Sequence, residues 1–337
     1  MSSSGSPLRE RSAGGAAARA AAPLLQRTAG LALRGAAGAL RRLPAGLAYA
    51  LADAAALPLA AATLLHERRV APHGRGLRRN QRIVFREELT PTRSRRLLLA
   101  WARHMTHLVV DFCRMPRLRA GALEPNVDAA AFREVIPLLR EGRGLICVSG
   151  HLGVWELCPH LASLVGIPIT MAVRPSGSEP VDALLTRIRS SGGARVLTKW
   201  GILLPLKHAL ERGEAVGLLA DEDAGERGIF APFLGTLAST TPSVAFLQRV
   251  TGATIVVASA HRVGRGRWRT HLWRVIRSEP SSDPERRERE VTAAVNEALS
   301  RAILAYPEQW LWGSRRFLTR PPGEAPGADG LPPRAAG

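Results

Sequence analysis

The segment SGHLGVWE (149–156) contains a histidine and a glutamate with four residues between them. An imidazole acts as a general base through one ring nitrogen. A carboxylate that accepts a hydrogen bond from the other ring nitrogen fixes the tautomer and stabilises the imidazolium. The spacing therefore predicts His151 as a base and Glu156 as its partner. Because His and Glu often fall at this spacing by chance, a structural histidine is the simpler interpretation of the motif alone.

Other chemistries have less support in the sequence. The motif differs from the zinc pattern H-E-x-x-H, and no Cys/His cluster accompanies it, so no metal is predicted. A G-x-S-x-G elbow is missing, which disfavours a serine hydrolase. Cys113, Cys147 and Cys158 cannot all pair, and Cys147 lies in an apolar run. We expect reduced, buried thiols and not a disulfide-built secreted protein.

The elements that must position the motif follow Pro125, where short apolar runs alternate with helical patterns. This alternation predicts an α/β domain with a mixed, largely parallel sheet flanked by helices. Strands are predicted at 144–149, 167–173, 215–220 and 253–263, and helices near 128–141, 154–165, 180–192, 202–212, 239–251 and 284–305.

Polar residues follow three of these predicted strands. His151 follows the first, Arg174 the second, and Asp221 with Asp223 the third. Chemistry in such sheets lies outside the carboxyl ends of the strands, so we expect these residues to share one crevice. Two simpler interpretations stay open, namely a surface ion pair for Arg174 and a solvated turn for the acidic loop.

The composition of the chain indicates which classes of partner it could bind. The 337 residues are 46% hydrophobic, enough for one large domain or two ordinary ones. The 47 basic against 28 acidic residues give a formal charge of +19, which favours nucleic acid or an anionic membrane surface as a partner. Only Lys199 and Lys207 are lysines, so the Arg excess also reflects compositional bias. No nucleic-acid motif is recognised, and no nucleic-acid partner is predicted.

An apolar segment of 23 residues, 43–65, is long enough to cross a bilayer of about 30 Å. It is a weak span, because Pro44 and Pro58 interrupt it and Asp53 is costly in hydrocarbon. We interpret 41–66 as a membrane anchor or interfacial helix. An apolar helix packed on the domain is the alternative, and a cleaved signal peptide fits poorly because the leader would have about 60 residues.

The rest of the chain divides by composition. Residues 67–122 form a basic amphipathic helical region suited to anionic lipid, and positive charge beside the apolar segment favours the cytoplasmic side. Residues 123–320, which contain the predicted strands and the His151 motif, are predicted to form the catalytic domain. The tails 1–40 and 321–337 are rich in Gly, Ala, Ser or Pro and are predicted to be disordered. No fixed-period repeat is evident.

Taken together, the motifs resemble those of the bacterial lipid A biosynthesis acyltransferases, the lauroyl and myristoyl acyltransferase family, over about residues 40 to 320. As a set they are specific, although each alone is not. They occur in the family's order and approximate spacing: SGHLGVWE (149–156), AVRPS (172–176), LLADEDAGERGIFAPFLG (218–235), ASTT (238–241), RVTGATIVV (249–257) and YPEQWLWGSRRF (306–317).

The resemblance implies a glycerolipid-acyltransferase-like fold and assigns roles by motif. The family's H-x4-D/E pair corresponds to His151 and Glu156, its R-P arginine to Arg174, and its D-x-D-like loop to Asp221 and Asp223. Two positions depart from the pattern: Glu222 stands where the family usually has Gln, and Val154 where it has Asn.

The implied reaction is acyl transfer from an acyl carrier protein or acyl-CoA thioester to a hydroxyl of a lipid A precursor, at the cytoplasmic face of the bacterial inner membrane. His151 would be the base and Glu156 its orienting partner, with no acyl-enzyme. Arg174, Asp221 and Asp223 would bind substrate, Arg174 through phosphate oxygens. No cofactor is implied beyond the acyl donor.

Three alternatives remain. The acceptor could be another glycolipid or a mannosylated phosphatidylinositol. In a different class, the chain could be a basic membrane-binding protein without catalysis. The aromatic residues Trp310, Trp312 and Phe317, beside Arg315 and Arg316, could lie at the lipid interface or cap the core.

Overall fold

A computed structural model describes residues 30–70, 76–123, 125–198 and 201–335. Its helices are α1 (30–42), α2 (Ala45–Val70), α3 (Leu77–Phe85), α4 (Pro91–Arg114), α5 (Ala130–Arg140), α6 (Cys158–Leu164), α7 (Glu179–Arg189), α8 (Leu203–Glu211), α9 (Ser243–Thr251) and α10 (Pro284–Ala305). The strands are β1 (Val127–Asp128), β2 (Leu145–Ser149), β3 (Ile169–Ala172), β4 (Arg195–Leu197), β5 (Ala215–Leu219), β6 (Ile229–Phe233), β7 (Thr236–Thr240), β8 (Thr254–Gly264) and β9 (Arg267–Ile276).

The main sheet has seven strands in the order β1-β9-β8-β2-β5-β3-β4. Neighbours from β8 to β4 pair in parallel, whereas β9 is antiparallel to β8. Strands β6 and β7 form a separate antiparallel hairpin. The predicted mixed, largely parallel sheet flanked by helices is confirmed, and each predicted strand and helix of the domain has a counterpart within a few residues.

The core lies on both faces of the sheet, because β2 and β5 are apolar on both sides, as central parallel strands usually are. On one face, α8, α9 and α10 pack with residues of α3 and α4. On the other, α5 and α6 cover β2, β3 and β8. The basic region 67–122 therefore shares the core of the domain that follows it.

The helix α2 contains the predicted apolar segment and continues through Pro58. Its stretch Ala45–Glu67 has the length and composition of a membrane-crossing helix. One face packs against α4, with Tyr49 and Asp53 contacting residues of that helix. The structure thus gives this segment both an apolar surface and a partner on the domain.

The tails differ from the sequence prediction in part. Residues 1–29 lie outside the described residues, but 30–42 are helical and not an irregular tail. Residues 321–335 pack on the domain: Leu331 is buried, Arg334 forms a β-bridge with Thr236, and Arg86 pairs with Asp329. Pro and Gly shape turns here, and the buried Leu331 and Pro332, together with backbone pairing, hold the segment on the domain.

Candidate active site

His151 lies at the carboxyl end of β2, and Asp221 lies at the carboxyl end of the neighbouring strand β5. The His151 Nδ1 atom is 2.9 Å from Oδ1 of Asp221, and the His151 backbone N–H donates to Oδ2 at 2.7 Å. Donation from Nδ1–H leaves Nε2 as a lone-pair acceptor. No residue in the described ranges makes a hydrogen bond with Nε2. The arrangement is that of an oriented general base.

Asp221 is fully buried, and a third donor, the Trp310 indole N–H, bonds its Oδ2 at 2.8 Å. Burial raises the pKa of Asp221, but the His151 charge and these hydrogen bonds outweigh it and leave the pKa below its usual value. Burial lowers the pKa of His151, while Asp221, with smaller contributions from Glu222 and Glu156, raises it above its ordinary value. The buried carboxylate therefore stays ionised and stabilises the imidazolium.

Two glycines allow the chain to turn here. A Cβ atom on Gly150 would lie 2.8 Å from Oδ2 of Asp221, so a larger residue would displace the carboxylate. Gly153 has a φ of 63°, and a Cβ there would lie 2.0 Å from the Ala260 carbonyl oxygen. The Gly153 carbonyl lies 3.0 Å from Nε2 of His104, a histidine whose pKa burial lowers to about 3. A neutral histidine thus supports the loop.

The C-terminal motif YPEQWLWGSRRF closes over this loop. The Gly153 N–H donates to the Gln309 carbonyl at 2.9 Å, and the Leu311 N–H donates to the His151 carbonyl at 2.9 Å. Trp310, Trp312 and Phe317 are buried. Of the two alternatives for these aromatic residues, the core position is the observed one, and Trp310 also reaches the site through Asp221.

Glu156 occupies a different position from the one predicted. Its two carboxylate oxygens accept from Nε and Nη2 of Arg189 at 2.8 and 2.7 Å, a bidentate ion pair at the end of α7. The carboxylate that is hydrogen-bonded to the His151 ring belongs to Asp221. The prediction that Glu156 orients the imidazole is therefore wrong for this structure. The reason is topological: Glu156 belongs to the loop that leads into α6, whereas Asp221 follows the strand paired with β2.

The remaining predicted residues divide between the crevice and its supporting loop. Arg174 follows β3, lines the same pocket as His151 and is 81% exposed, with Glu222 at 3.8 Å as its ion partner. Asp223 instead accepts from the Thr319 backbone N–H at 3.2 Å and hydroxyl at 2.7 Å. Arg174 is thus available to a ligand, while Asp223 fixes the C-terminal segment.

A pocket of about 460 Å³ extends from His151 between the sheet and helices α5 and α6. Its mouth includes Arg174, Glu156 and Arg189, and its interior is mostly apolar. The interior is lined by side chains such as Phe132, Val135, Ala162, Ile167, Ile169 and Val256. An apolar pocket with few polar groups at its mouth fits a long hydrocarbon chain whose reactive end stays beside the histidine.

Two thiols also line this pocket, Cys147 on β2 and Cys158 at the start of α6. Burial raises the pKa of both thiols to about 12. A thiol at that pKa is a poor nucleophile at neutral pH, because the thiolate is the reactive form. The pocket therefore offers His151 as its reactive group. In the described ranges, no three His, Cys, Asp or Glu side chains cluster as metal ligands.

Arg316 lies fully buried beneath the acidic loop. It donates to the Glu222 carbonyl at 3.0 Å, the Ser239 carbonyl at 2.6 Å and the Thr240 hydroxyl at 2.7 Å, and it stacks over the Phe233 ring. Burial lowers its pKa to about 10, which keeps the guanidinium charged at neutral pH. This cation holds the backbone that carries Asp221.

The sequence interpretation missed Arg189, and it gave Trp310 no contact with the site. Arg189 is one of 45 arginines, and its place at the end of a predicted helix was the only available signal. Trp310 was recognised as part of a motif, but its indole contact with a residue 89 positions earlier depends on the tertiary fold.

A model of the bacterial lipid A biosynthesis acyltransferase family matches residues 39–319. The chain is 29% identical over 188 residues to the lipid A biosynthesis palmitoleoyltransferase of Escherichia coli (strain K12), covering 55% of this chain and 59% of the relative. It is 31% identical over 184 residues to the lipid A biosynthesis lauroyltransferase of the same organism, covering 54% and 58%. These matches span less than two thirds of the relatives' lengths.

The match of the family model takes in His151, Asp221, Arg189 and the C-terminal motif within one continuous range. The sheet, the loop after β2 and the pocket described above all lie inside it. The chain belongs to the bacterial lipid A biosynthesis acyltransferase family.

Proposed function

We propose that this protein transfers a fatty acyl group from a thioester donor to a hydroxyl of a lipid A precursor or a related glycolipid. One observation carries the proposal: Nε2 of His151 is free at the mouth of an apolar pocket, while Asp221 holds Nδ1 from behind. The family membership and the names of the relatives support acyl transfer as the reaction class.

In the proposed reaction, Nε2 of His151 takes the proton of the acceptor hydroxyl as its oxygen attacks the thioester carbonyl. The tetrahedral intermediate collapses, the carbon–sulfur bond breaks, and the imidazolium returns the proton to the leaving thiolate. The products are an ester and a free thiol. Asp221 keeps the reactive tautomer and stabilises the imidazolium between the two proton transfers.

The acyl chain of the donor would occupy the 460 Å³ pocket, which places the thioester carbonyl at its mouth. Glu156 and Arg189 would form one wall of that mouth through their bidentate pair. The buried thiols support direct transfer, because neither Cys147 nor Cys158 is ionised at neutral pH. No acyl-enzyme is needed.

Arg174 would bind phosphate oxygens of the acceptor headgroup or of the donor's phosphopantetheine. Among the described residues, its exposed guanidinium has only a contact of 3.8 Å to Glu222, so an incoming phosphate would have little to displace. A planar guanidinium can bind phosphate through two parallel hydrogen bonds. The donor carrier, acyl carrier protein or CoA, would be distinguished by the contacts made outside the pocket.

The reaction would take place at the cytoplasmic face of the inner membrane, where an acyl thioester and a membrane-held acceptor can meet. The net charge of +19 favours an anionic lipid surface. The apolar helix α2 supplies a surface for the same contact.

The test is transfer of a labelled acyl chain from acyl carrier protein or CoA thioesters to a lipid A precursor, using purified protein in mixed micelles. Wild type should form the labelled lipid, and His151→Ala should lose about two to four orders of magnitude in rate. Asp223→Asn is the matched control, because its carboxylate serves Thr319. Equal rates for wild type and His151→Ala would overturn the proposal.

The second candidate, a different glycolipid acceptor, rests on one departure from the family pattern, Glu222, because the other, Val154, is buried in the core and does not line the pocket. Glu222 is exposed at the mouth beside Arg174, where an acceptor would lie. A panel including a phosphatidylinositol mannoside in the same assay separates the acceptors. A non-catalytic membrane-binding protein would transfer label to none of them.

A further inference from the structure

The helix α2 has two faces of different character. Toward the domain it presents small side chains that recur every four residues and are buried, namely Ala48, Ala52, Ala56 and Ala60. Away from the domain it presents leucines that are 48 to 67% exposed, namely Leu47, Leu51, Leu57 and Leu65. The packed face therefore runs the length of the apolar segment, and the leucine face has no partner in the described part of the chain.

Polar contacts fix α2 antiparallel to α4. The Tyr49 hydroxyl donates to Asp111, and one helical turn later Asp53 lies 2.7 Å from Nε2 of His107 and 2.6 Å from Nε of Arg103. As residue numbers rise along α2 they fall along α4. The two helices are thus joined side by side and not at one end.

Arg265, in the turn between β8 and β9, also pairs with Asp53. We call the contacts of Asp53 with Arg103, His107 and Arg265 the Asp53 clasp. Burial raises the pKa of Asp53, but hydrogen bonds from Arg103, His107 and Arg265 lower it by more, so the carboxylate is ionised. If α2 crossed a bilayer in this conformation, it would draw Arg103, Arg265 and the exposed Arg96 of α4 toward the hydrocarbon. Charged side chains are strongly disfavoured there.

Exposed arginines flank α2 at both ends, with Arg41 and Arg42 before it and Arg69 in its last turn. A spanning helix is oriented by an excess of positive charge on one side. In α2 both ends carry positive charge. This distribution fits a helix whose two ends contact the same layer of anionic headgroups. The charges and the leucine face point to one occupant, an anionic phospholipid surface.

We propose that α2 does not cross the bilayer but lies in the plane of one leaflet, with its leucine face (Leu47, Leu51, Leu57 and Leu65) among the acyl chains and its alanine face on α4. The Asp53 clasp keeps the helix in this orientation. The inference assumes that the protein meets a membrane but makes no use of acyl transfer, so the two proposals can fail separately.

Depth measurements test the orientation directly. The protein is labelled with a nitroxide at Leu47→Cys, Ala54→Cys or Leu65→Cys and bound to vesicles of phosphatidylglycerol and phosphatidylethanolamine. The labels report the depth in the bilayer of three positions along the leucine face. Leu47 and Leu65 are about 27 Å apart along the helix at 1.5 Å per residue. An in-plane helix gives the three labels equal depth, whereas a spanning helix makes Ala54 the deepest.

Two controls accompany the measurement. Unsubstituted protein reports any labelling of the native cysteines, and Ser282→Cys, in the exposed loop before α10, should show no immersion. In cells, Ala36→Cys in α1 and Ser282→Cys should react with an impermeant thiol reagent from the same side of the membrane. A depth maximum at Ala54, reaction from opposite sides, or no immersion of any α2 label would each overturn the proposal.

Discussion

The Nδ1 atom of His151 lies 2.9 Å from Oδ1 of Asp221, a residue 70 positions later in the chain. Adjacent parallel strands bring the two together, and the Trp310 indole completes the hydrogen bonding of the carboxylate. Asp221 is therefore the carboxylate partner of His151, the role that local spacing predicts for Glu156. This relationship determines how the site should respond to substitution.

Asp221→Asn should reduce acyl transfer about 10²- to 10⁴-fold without unfolding the protein, because the amide cannot fix the reactive tautomer or stabilise the imidazolium. Single-turnover rates with saturating donor measure the effect. Asp223→Asn, in the same loop, should stay within a few-fold of wild type. Similar losses in both variants would mean that the rate depends on the conformation of the loop and not on the hydrogen bond between Asp221 and His151.

The pH dependence should follow the raised pKa of His151. A general base works in its neutral form, so the rate should rise with pH through a midpoint above the ordinary histidine value of 6.5. In Asp221→Asn the negative charge is lost while burial remains, so the midpoint should move to lower pH as the plateau falls. Rate profiles between pH 5 and 9 measure both, and an unmoved midpoint would contradict the assignment.

Glu156→Gln should act differently, because it breaks the bidentate pair with Arg189 at the pocket mouth. Loss of this pair, whose charge-assisted hydrogen bonds are worth about 1.5–3 kcal/mol, displaces one wall of the mouth and should raise the KM for the acyl donor by up to roughly 100-fold. The pH midpoint should move less than in Asp221→Asn. Arg189→Lys should resemble Glu156→Gln, whereas a pH shift equal to that of Asp221→Asn would restore Glu156 as the partner of the base.

Acyl-chain preference should depend on the deep end of the pocket. Ala162 lines it and packs with residues near the amino ends of the strands, such as Ile169 and Ala215, away from His151. Ala162→Leu should therefore favour shorter acyl donors, as measured by competition between thioesters of different length. Ala209→Leu crowds the core on the other face of the sheet and should lower stability without changing the preference.

The buried contact between α2 and the domain should contribute strongly to stability. Asp111 accepts from Tyr49 and from the Trp268 indole and pairs with Arg262. Asp111→Asn leaves the nearly buried Arg262 without its counter-charge and should cost about 3–5 kcal/mol in denaturant unfolding. Tyr49→Phe keeps the ion pair and should cost less, so an equal loss would locate the effect in the hydroxyl.

Much of the architecture could be predicted because apolar runs and helical patterns alternate strongly after Pro125. The strand β9 was missed because it carries Arg, Thr and His between its apolar residues and lies antiparallel to β8. The C-terminal segment differs from its prediction for a related reason, since its Pro and Gly residues resemble a disordered tail while only Leu331 and Pro332, among residues 321–335, are buried.

Within the site, His151 and the shared crevice could be predicted, whereas the pairing of carboxylates could not. Local spacing favours Glu156 for His151, but strand order decides which acid lies against the ring, and strand order is a property of the whole sheet. The same limit applies to Arg189 and Trp310, whose contacts lie 33 and 89 positions away.

The closing of the Gln309–Leu311 segment over the His151 loop has a consequence for biosynthesis. Translation makes His151 first, then Asp221, and makes Trp310, whose indole completes the Asp221 hydrogen bonds, 89 positions after Asp221. A partly synthesised or C-terminally clipped chain thus has an unfinished centre. The His151–Asp221 pair therefore has its full set of hydrogen bonds only after Trp310 has been made and has packed against Asp221.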